Sequence, residues 1–138
     1  MKKYKLENGL PAFVFITNFG IQSNMGASTS GPLIFIRPSK TFPSISKERA
    51  EGLLAHELVH AEQFYRTCGW NSVRYLFSKK WKLKYEVEAY REQLKYVPND
   101  LDKLAEIIST RYGIDITKEE AARATISSMP KSRNSSSV

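Results

Sequence analysis

Two histidines stand four residues apart in the segment His56-Glu57-Leu58-Val59-His60, and the chain has no others. On a helix, side chains at positions i and i+4 lie on one face, so both imidazoles can bind one metal ion at about 2.0–2.1 Å. Glu57 lies about 100° around that helix, where its carboxylate can hold a water molecule beside the ion without binding the ion itself. The residue types and their spacing therefore predict a zinc site with Glu57 as general base. The alternative is a helix with two hydrogen-bonded histidines and a solvated glutamate.

A third protein ligand is needed, because a catalytic zinc site combines three protein ligands with a water molecule. With no third histidine this ligand must be a carboxylate, and a later helical segment offers Glu86 and Glu88. Helical geometry places Glu86 within the apolar face of that segment, with Gln93 beside it, whereas Glu88 lies on the opposite, charged face. A buried carboxylate without a partner is costly. We therefore predict Glu86 as the third ligand and keep Glu88 as the alternative.

The elements that must position these side chains begin with a small sheet. Residues 12–17 and 33–37 are β-branched and aromatic, and a connection rich in Gly, Ser and Asn separates them, which predicts two strands that we expect to be antiparallel. Ser46 is a suitable N-cap for a helix over about 47–67, and Gly69 is suited to end it. That helix carries both histidines and is apolar on much of its circumference. We expect it to be largely buried at the centre of the domain.

Three further helices are predicted after the central one, over about 82–97, about 100–112 and about 117–127, separated by proline and glycine breaks. The last of them opens with a capping-box pattern. Residues 129–138 contain too little apolar material to pack, which predicts a disordered tail. The fold class is therefore α+β: one domain over 1–128, in which a short N-terminal β-sheet is followed by about four helices.

The chain is basic, with a net charge of +7 and a pI of about 9.5. Much of this charge lies in the segment 78–85, which interleaves lysines with aromatic residues. Such charge favours contact with nucleic acid, anionic membrane surfaces or acidic proteins. No recognised nucleic-acid-binding module accompanies it, so nucleic-acid binding is kept as the weaker hypothesis.

The compartment is indicated by what the sequence lacks. No apolar run approaches the roughly 18–20 residues that a membrane span requires, and the N-terminus lacks the apolar stretch of a signal peptide. The single cysteine, Cys68, cannot form an internal disulfide, and we interpret it as a small core residue. We therefore expect a cytoplasmic protein without a membrane span.

The HExxH segment, followed by a glutamate on a later helix, resembles the gluzincin branch of the zincin metallopeptidases. The small size is similar to that of minigluzincins and of compact phage or prokaryotic HExxH proteins, and the resemblance covers roughly residues 33–96. In that branch the glutamate ligand commonly stands in Glu-x-x-Ala-Asp or Glu-x-x-Ala-Asn, and Glu86-Val87-Glu88-Ala89-Tyr90 matches except at its last position. Tyr90 cannot provide a carboxylate to orient a histidine ligand, and Gln63, one turn beyond His60, is a candidate substitute.

The resemblance implies a zincin-like metallopeptidase domain with one catalytic zinc ion, held by His56, His60 and Glu86. Zinc would polarise the scissile carbonyl and acidify a water molecule, and Glu57 would take the proton and pass it to the leaving amine. The substrate would be a peptide or protein. In this superfamily an edge strand pairs with the extended substrate, and the strand 33–37 is expected to do so here.

The sequence leaves three questions open. The oxyanion needs a hydrogen-bond donor, for which Tyr90, Tyr112 or an arginine are available. Because the small size leaves little material for a deep pocket, the chain could be a zinc protein without peptidase activity, or a latent enzyme whose cleft is blocked by its C-terminal segment. It could also be a basic, nucleic-acid-associated protease or binding protein. The oligomeric state is not predicted.

Overall fold

The computed structural model describes residues 1–19, 21–23, 25–111 and 116–127. In these ranges a four-stranded sheet is followed by five α-helices, which confirms the predicted α+β class. The strands are β1 (Lys2–Lys5), β2 (Pro11–Ile16), β3 (Ala27–Ser30) and β4 (Leu33–Ile36). The helices are α1 (Lys47–Arg66), α2 (Trp70–Phe77), α3 (Lys79–Leu94), α4 (Leu101–Arg111) and α5 (Lys118–Ser127). Short 3-10 helices at Pro38–Lys40 and Pro98–Asp100 precede α1 and α4.

The sheet has the strand order β1-β2-β4-β3, and its two central strands are parallel, with Phe13 opposite Leu33. The prediction that they are antiparallel was wrong. The cause is β3, a strand that was not predicted, which forms an antiparallel hairpin with β4 around Gly31. This glycine has a φ of +58°, as a tight hairpin turn requires. Because β3 turns back into β4, β4 runs in the same direction as β2.

This topology also decides which strand lies at the edge of the sheet. β4 pairs with β2 on one side and β3 on the other, so its backbone has no side left for a peptide. The expectation that strand 33–37 receives an extended substrate was therefore wrong. Within the described residues no strand pairs with the outer side of β3, which makes β3 the edge strand beside β4.

The central helix α1 packs against the sheet and against α3. The Ser46 hydroxyl caps it by accepting a hydrogen bond from the N–H of Arg49 at 3.3 Å. In the turn after the helix, the N–H of Gly69 donates to the carbonyl of Phe64 at 2.9 Å, and Gly69 has a φ of +85°. The predicted cap is confirmed, and the predicted end is right to within one residue.

The first hydrophobic core lies between the sheet and α1. It consists of Leu6, Ala12, Val14, Ala27, Ile34, Ile36 and Ala61, against which Leu53, Leu54, Leu58 and Tyr65 pack.

Cys68 lies in the chain reversal between α1 and α2, where its φ is +51°. Its side chain is exposed, so its interpretation as a core residue was wrong. A residue that reverses the chain between two helices belongs to the packed face of neither. The apolar pattern of α1 therefore says nothing about its burial.

Between α1 and the 3-10 helix Pro98–Asp100 the structure has two helices, whereas the sequence predicted one, over about 82–97. The extra helix is α2, which lies in residues to which the prediction assigned no element. The predicted helix is α3, which begins at Lys79 rather than at about Lys82. The Ser78 hydroxyl accepts a hydrogen bond from the N–H of Trp81 at 3.3 Å and so caps α3 at this earlier position. α3 ends at Leu94, three residues before the predicted end. The second core, where α4 and α5 pack on α3, consists of Val87, Tyr90, Leu94, Leu104, Ala105, Ile108 and Ala121.

The predicted capping box at the last helix is confirmed. The N–H of Thr117 donates to the Glu120 carboxylate at 2.7 Å, and the N–H of Glu120 donates to the Thr117 hydroxyl at 3.2 Å. The predicted helix end at Tyr112 and the predicted tail 129–138 lie outside the described residues. In the part that is described, no helix is both long and apolar enough to cross a membrane.

Candidate metal centre

Three predicted ligands meet at the contact between α1 and α3. The Nε2 atoms of His56 and His60 lie 3.2 Å apart. One carboxylate oxygen of Glu86 lies 3.6 Å from the first of these atoms and the other lies 3.5 Å from the second. Ligand atoms that bind zinc tetrahedrally at about 2.0–2.1 Å are about 3.3–3.4 Å from one another. The spacing of the three side chains thus fits one ion of that size.

The burial of this group also fits a metal ion. His56 is 4% exposed and Glu86 is 2% exposed, while the side chain of His60 is 16% exposed. Within the described residues, Glu86 Oε2 has no hydrogen-bond partner. Burying a carboxylate oxygen without a partner is costly, and a bound cation would remove that cost. The buried group of His56, His60 and Glu86 could therefore bind a metal ion.

Glu88, the alternative ligand, points away from the histidines. Its two carboxylate oxygens accept hydrogen bonds from Arg66 at 2.9 Å each, and one of them also accepts from Gln63 at 3.3 Å. The two glutamates are two positions apart on α3, so their side chains lie about 200° apart around the helix. The helical phase that predicted Glu86 as the inward residue agrees with its position here.

Close packing of α1 and α3 depends on a glycine one turn before His56. A Cβ atom at Gly52 would lie 3.3 Å from the Gln93 side chain, from the Gln93 carbonyl and from the Tyr96 Cβ. Such contacts are at the limit of normal packing, so Gly52 allows α3 to approach α1 at this level. This approach brings Glu86 within reach of the histidines.

Gln63 orients His60. Its Oε1 lies 2.9 Å from His60 Nδ1, and its Nε2 donates to the carbonyl of Tyr85 at 3.0 Å. Because the amide nitrogen is engaged elsewhere, the oxygen faces the ring, so Nδ1 carries the proton and donates it. In the neutral form of His60, which is the form that binds a metal ion, the Nε2 lone pair is then directed at the ligand group. Gln63 thus lies where the sequence suggested a substitute for the missing carboxylate.

His56 has a different environment. The Tyr90 ring packs against it, with ring centroids 4.3 Å apart. His56 Nδ1 is buried, and the polar group beside the His56 ring is the side chain of Gln93. Tyr90, one of the predicted oxyanion donors, therefore serves as packing for a ligand and does not line the cleft described below.

The two histidines and Glu86 change one another's pKa values. Burial alone would lower the pKa of His60, but the neighbouring Glu86 carboxylate outweighs it, with help from Glu57 and Gln63, and raises this pKa to about 9. Burial would likewise raise the pKa of Glu86, but the two imidazoles and Tyr75 lower it to about 2. Burial and the charge on His60 lower the pKa of His56 to about 3. At neutral pH the metal-free site thus holds one imidazolium and one carboxylate, which compensate each other.

Glu57 lies next to the ligand group and is 6% exposed. Its carboxylate accepts a hydrogen bond from the Thr29 hydroxyl of β3 at 2.5 Å. Burial and the Glu86 charge raise the pKa of Glu57, whereas His60 and Thr29 act in the opposite direction; the net shift is upward. A carboxylate with a raised pKa can both accept and return a proton near neutral pH.

A cleft of about 330 Å³ opens beside these groups. Its inner wall is formed by α1 and α3 and contributes Glu57, His60, Gln63 and Glu86. Its outer wall is formed by the hairpin at β3 and by α2. The hairpin side contributes Met25, Ala27, Ser28, Thr29 and Gly31, and α2 contributes Asn71, Ser72, Tyr75 and Leu76.

Tyr75 is a functional candidate that the sequence did not reveal. Its hydroxyl donates to Glu86 Oε1 at 2.8 Å and lies in the cleft. Burial and the nearby Glu86 carboxylate raise the pKa of Tyr75, so its hydroxyl stays protonated. It was missed because α2 was missed. The available signal was an eight-residue stretch without Gly or Pro, bounded by Gly69 and Ser78, which can end and start helices.

The lysine-rich segment 78–85 forms the first turns of α3. The Trp81 ring is covered within the protein: Arg74 lies 4.3 Å and Lys84 4.6 Å from its centre, and the Tyr85 ring stacks on it at 5.5 Å. An aromatic ring engaged in this way is not displayed for stacking with bases. Nucleic-acid binding by this segment stays a prediction without structural support.

Comparison with known proteins adds no assignment, since no family model, no curated protein and no solved structure matches the chain. The class of protein is therefore defined by its own fold and site. It is a small α+β domain with a buried two-histidine, one-glutamate group that could bind a metal ion beside an open cleft.

Proposed function

We propose that the chain is a zinc-dependent peptidase, with His56, His60 and Glu86 as metal ligands. The observation that carries this proposal is the close approach of three side chains beside a cleft: the two imidazole Nε2 atoms lie 3.2 Å apart, and each lies 3.5–3.6 Å from one oxygen of the Glu86 carboxylate. Two imidazoles and one carboxylate form a donor set used by catalytic zinc, which keeps a fourth position open for water or substrate. The resemblance to gluzincins supports the same assignment.

Bound zinc would supply positive charge that polarises a carbonyl and lowers the pKa of a water molecule. Glu57 is the general base: it accepts a proton from the attacking water and delivers it to the amine that leaves. The Thr29 hydroxyl, bonded to Glu57 Oε2, directs the carboxylate at the cleft and leaves its other oxygen for the water.

Tyr75 is the donor for the oxyanion in this proposal. Its hydroxyl lies on the outer wall of the cleft, and its raised pKa keeps it a donor at neutral pH. In the structure it donates to Glu86 Oε1. A short rotation of the phenol would transfer this hydrogen bond from the carboxylate to a substrate oxygen that develops negative charge.

The substrate is an extended peptide that pairs with β3. Among the residues that the structure describes, nothing pairs with the outer side of this strand, and Ala27, Ser28 and Thr29 line the cleft. Backbone hydrogen bonds to an edge strand hold a peptide regardless of its sequence, while side-chain pockets add selectivity. Met25 and Ala27 line the same cleft, so we expect a preference for apolar side chains in the peptide.

The test combines metal analysis with a peptide-library cleavage assay on the native chain and Glu57→Gln. We expect one zinc ion per chain in both proteins, and a rate for Glu57→Gln that is lower by about 10²–10⁴-fold. Glu62→Gln, a half-exposed glutamate on the same helix, is the matched control and should retain full activity. Zinc binding without cleavage in the native chain would contradict the peptidase proposal and leave a metal-binding protein.

A further inference from the structure

The helix α2 is amphipathic, but its polar side faces the protein and its apolar side faces solvent, which is the opposite of a normal surface helix. Its polar side chains Asn71, Ser72 and Tyr75 face the cleft inside the protein. Its large apolar side chains are exposed to solvent: Trp70 is 62% exposed, Val73 44%, Leu76 76% and Phe77 85%, and Leu76 also borders the cleft. None of the eight residues of α2 is buried. The solvent-facing side of α2 is therefore built for something other than the core of this chain.

The four exposed side chains form a continuous stripe. At about 100° per residue, Trp70, Val73, Leu76 and Phe77 fall within an arc of about 120° on the helix surface. In the described part of the chain, twelve large apolar side chains are exposed, and this one short helix holds four of them. Single exposed apolar residues are normal, but a contiguous patch of this kind marks an interaction surface.

Basic residues lie within α2 and directly after it along the chain. From Trp70 to Tyr85 the chain contains Arg74, Lys79, Lys80, Lys82 and Lys84 and no acidic residue. This is a local charge of +5 out of the net +7. Lys79 and Lys80, both exposed, follow Phe77 by two and three residues at the start of α3. An apolar stripe with aromatic residues, bordered by lysines, is the composition of a segment that lies in the interface of an anionic bilayer.

We propose that α2 docks on an anionic lipid surface, with Trp70, Val73, Leu76 and Phe77 inserted among the acyl chains and the lysines of α3 at the headgroups. The size of the helix favours a bilayer over a protein partner. A helix of eight residues is about 12 Å long and about 10 Å wide. The apolar face of one such helix offers less accessible surface than the about 800 Å² per partner that a stable protein complex buries. On a bilayer, a small apolar insertion is sufficient when basic residues add electrostatic attraction.

Docking of α2 goes beyond the proposed hydrolysis and does not depend on it. The same helix forms part of the outer wall of the cleft, so docking would place the cleft mouth at the bilayer surface. No metal ligand lies on α2. Binding to vesicles should therefore be the same with and without zinc, whereas peptide cleavage should require zinc.

The experiment is vesicle co-sedimentation of the full chain, with phosphatidylcholine vesicles that contain about 30% phosphatidylserine and with vesicles of phosphatidylcholine alone, at about 0.1 M salt. We expect binding to the anionic vesicles at least about tenfold stronger than to the neutral ones. In a Trp81→Phe background, Trp70 is the one remaining tryptophan, and its emission should shift to shorter wavelength on binding.

Two double variants separate the apolar and the electrostatic contributions. Leu76→Ser with Phe77→Ser should weaken vesicle binding by roughly a hundredfold. Lys79→Gln with Lys80→Gln should weaken it by roughly tenfold to thirtyfold. The matched control is Phe19→Ser with Ile126→Ser, which removes two exposed apolar side chains elsewhere and should leave binding unchanged. Unchanged thermal unfolding of each variant establishes that the fold is intact.

Three results would overturn the proposal. One is no sedimentation of the native chain with anionic vesicles at about 0.1 M salt. Another is equal binding by the native chain and the Leu76→Ser, Phe77→Ser variant, which would mean that lysines alone attract the protein. The third is a concentration-dependent dimer that this variant abolishes, in the absence of vesicle binding, which would identify a second copy of the chain as the occupant of the stripe.

Discussion

The two walls of the cleft differ in how firmly the fold holds them. The inner wall consists of side chains on the packed faces of α1 and α3, and Gln63 and Glu86 are 0% and 2% exposed. The outer wall consists of an edge strand and of α2, a helix without a buried residue. Metal ligands require fixed distances, which a helix–helix contact provides. Groups that meet a substrate need access, which the outer wall provides. The comparison predicts that variants of the metal ligands and of Gln63 on the inner wall change metal affinity, whereas variants of the outer wall, like those of the general base Glu57, change turnover with the metal retained.

The largest expected effect separates the two glutamates of α3. Glu86→Gln should weaken zinc binding by on the order of a thousandfold, because it removes the anionic ligand from a buried site. Glu88→Gln should leave zinc binding within a few-fold, because Glu88 pairs with Arg66 instead. Competition with a chromophoric chelator measures both affinities. Similar zinc affinity in the two variants would refute the ligand assignment.

The next effect tests the outer wall. Tyr75→Phe should lower kcat by about 10²–10³-fold, because it removes the hydroxyl proposed to stabilise the oxyanion. Zinc content and KM should change little, since the phenyl ring keeps its place. Tyr65→Phe is the matched control, because the Tyr65 hydroxyl donates to the carbonyl of Pro11, on a strand away from the cleft. Loss of zinc from Tyr75→Phe would contradict the prediction that outer-wall variants retain the metal ion.

A smaller effect concerns the support of a ligand within the inner wall. Gln63→Ala should weaken zinc binding by about 10–100-fold, because it removes the acceptor that fixes the His60 ring. Gln63→Met should weaken zinc binding to a similar degree, because it fills the same buried space without an acceptor for His60 Nδ1. If neither substitution changes zinc affinity, Gln63 does not orient His60.

The smallest effect is the pH dependence of the metal-free protein. The pKa of His60 in the fold, about 9, lies above the value of about 6.5 for a free imidazole, so its charged pair with Glu86 stabilises the fold fully below pH 6.5. This contribution is lost as the pH rises through about 9. With a chelator present, the Tm should fall by roughly 5 °C between about pH 6.5 and about pH 9.5. Glu86→Gln should remove most of this fall, and an equal fall in that variant would contradict the pairing.

Many features could be predicted from the sequence because they depend on neighbours within a few residues. The histidine spacing on a helix, the Ser46 cap, the turn at Gly69 and the capping box at Thr117 are local in this sense. The choice of Glu86 over Glu88 needed only the phase of one helix. These predictions agree with the fold because i to i+4 geometry is the same in every helix.

Other features could not be predicted, because they depend on contacts between residues that are far apart in the sequence. The parallel pairing of β2 with β4 followed from a third strand, β3, whose Ala-Ser-Thr-Ser sequence carries little strand signal. The same strand supplies Thr29, which contacts Glu57 across 28 positions. No local pattern encodes such a contact.

The sequence by itself determined the three ligand candidates, the helix that carries two of them and the fold class. Only the tertiary structure decided that β3 is the edge strand, that Cys68 is exposed, and that α2 closes the cleft with Tyr75 while turning its apolar side outward. The physical reason is that periodicity reveals which side chains share a face of one element, whereas the partner of that face is chosen by the packing of all elements together.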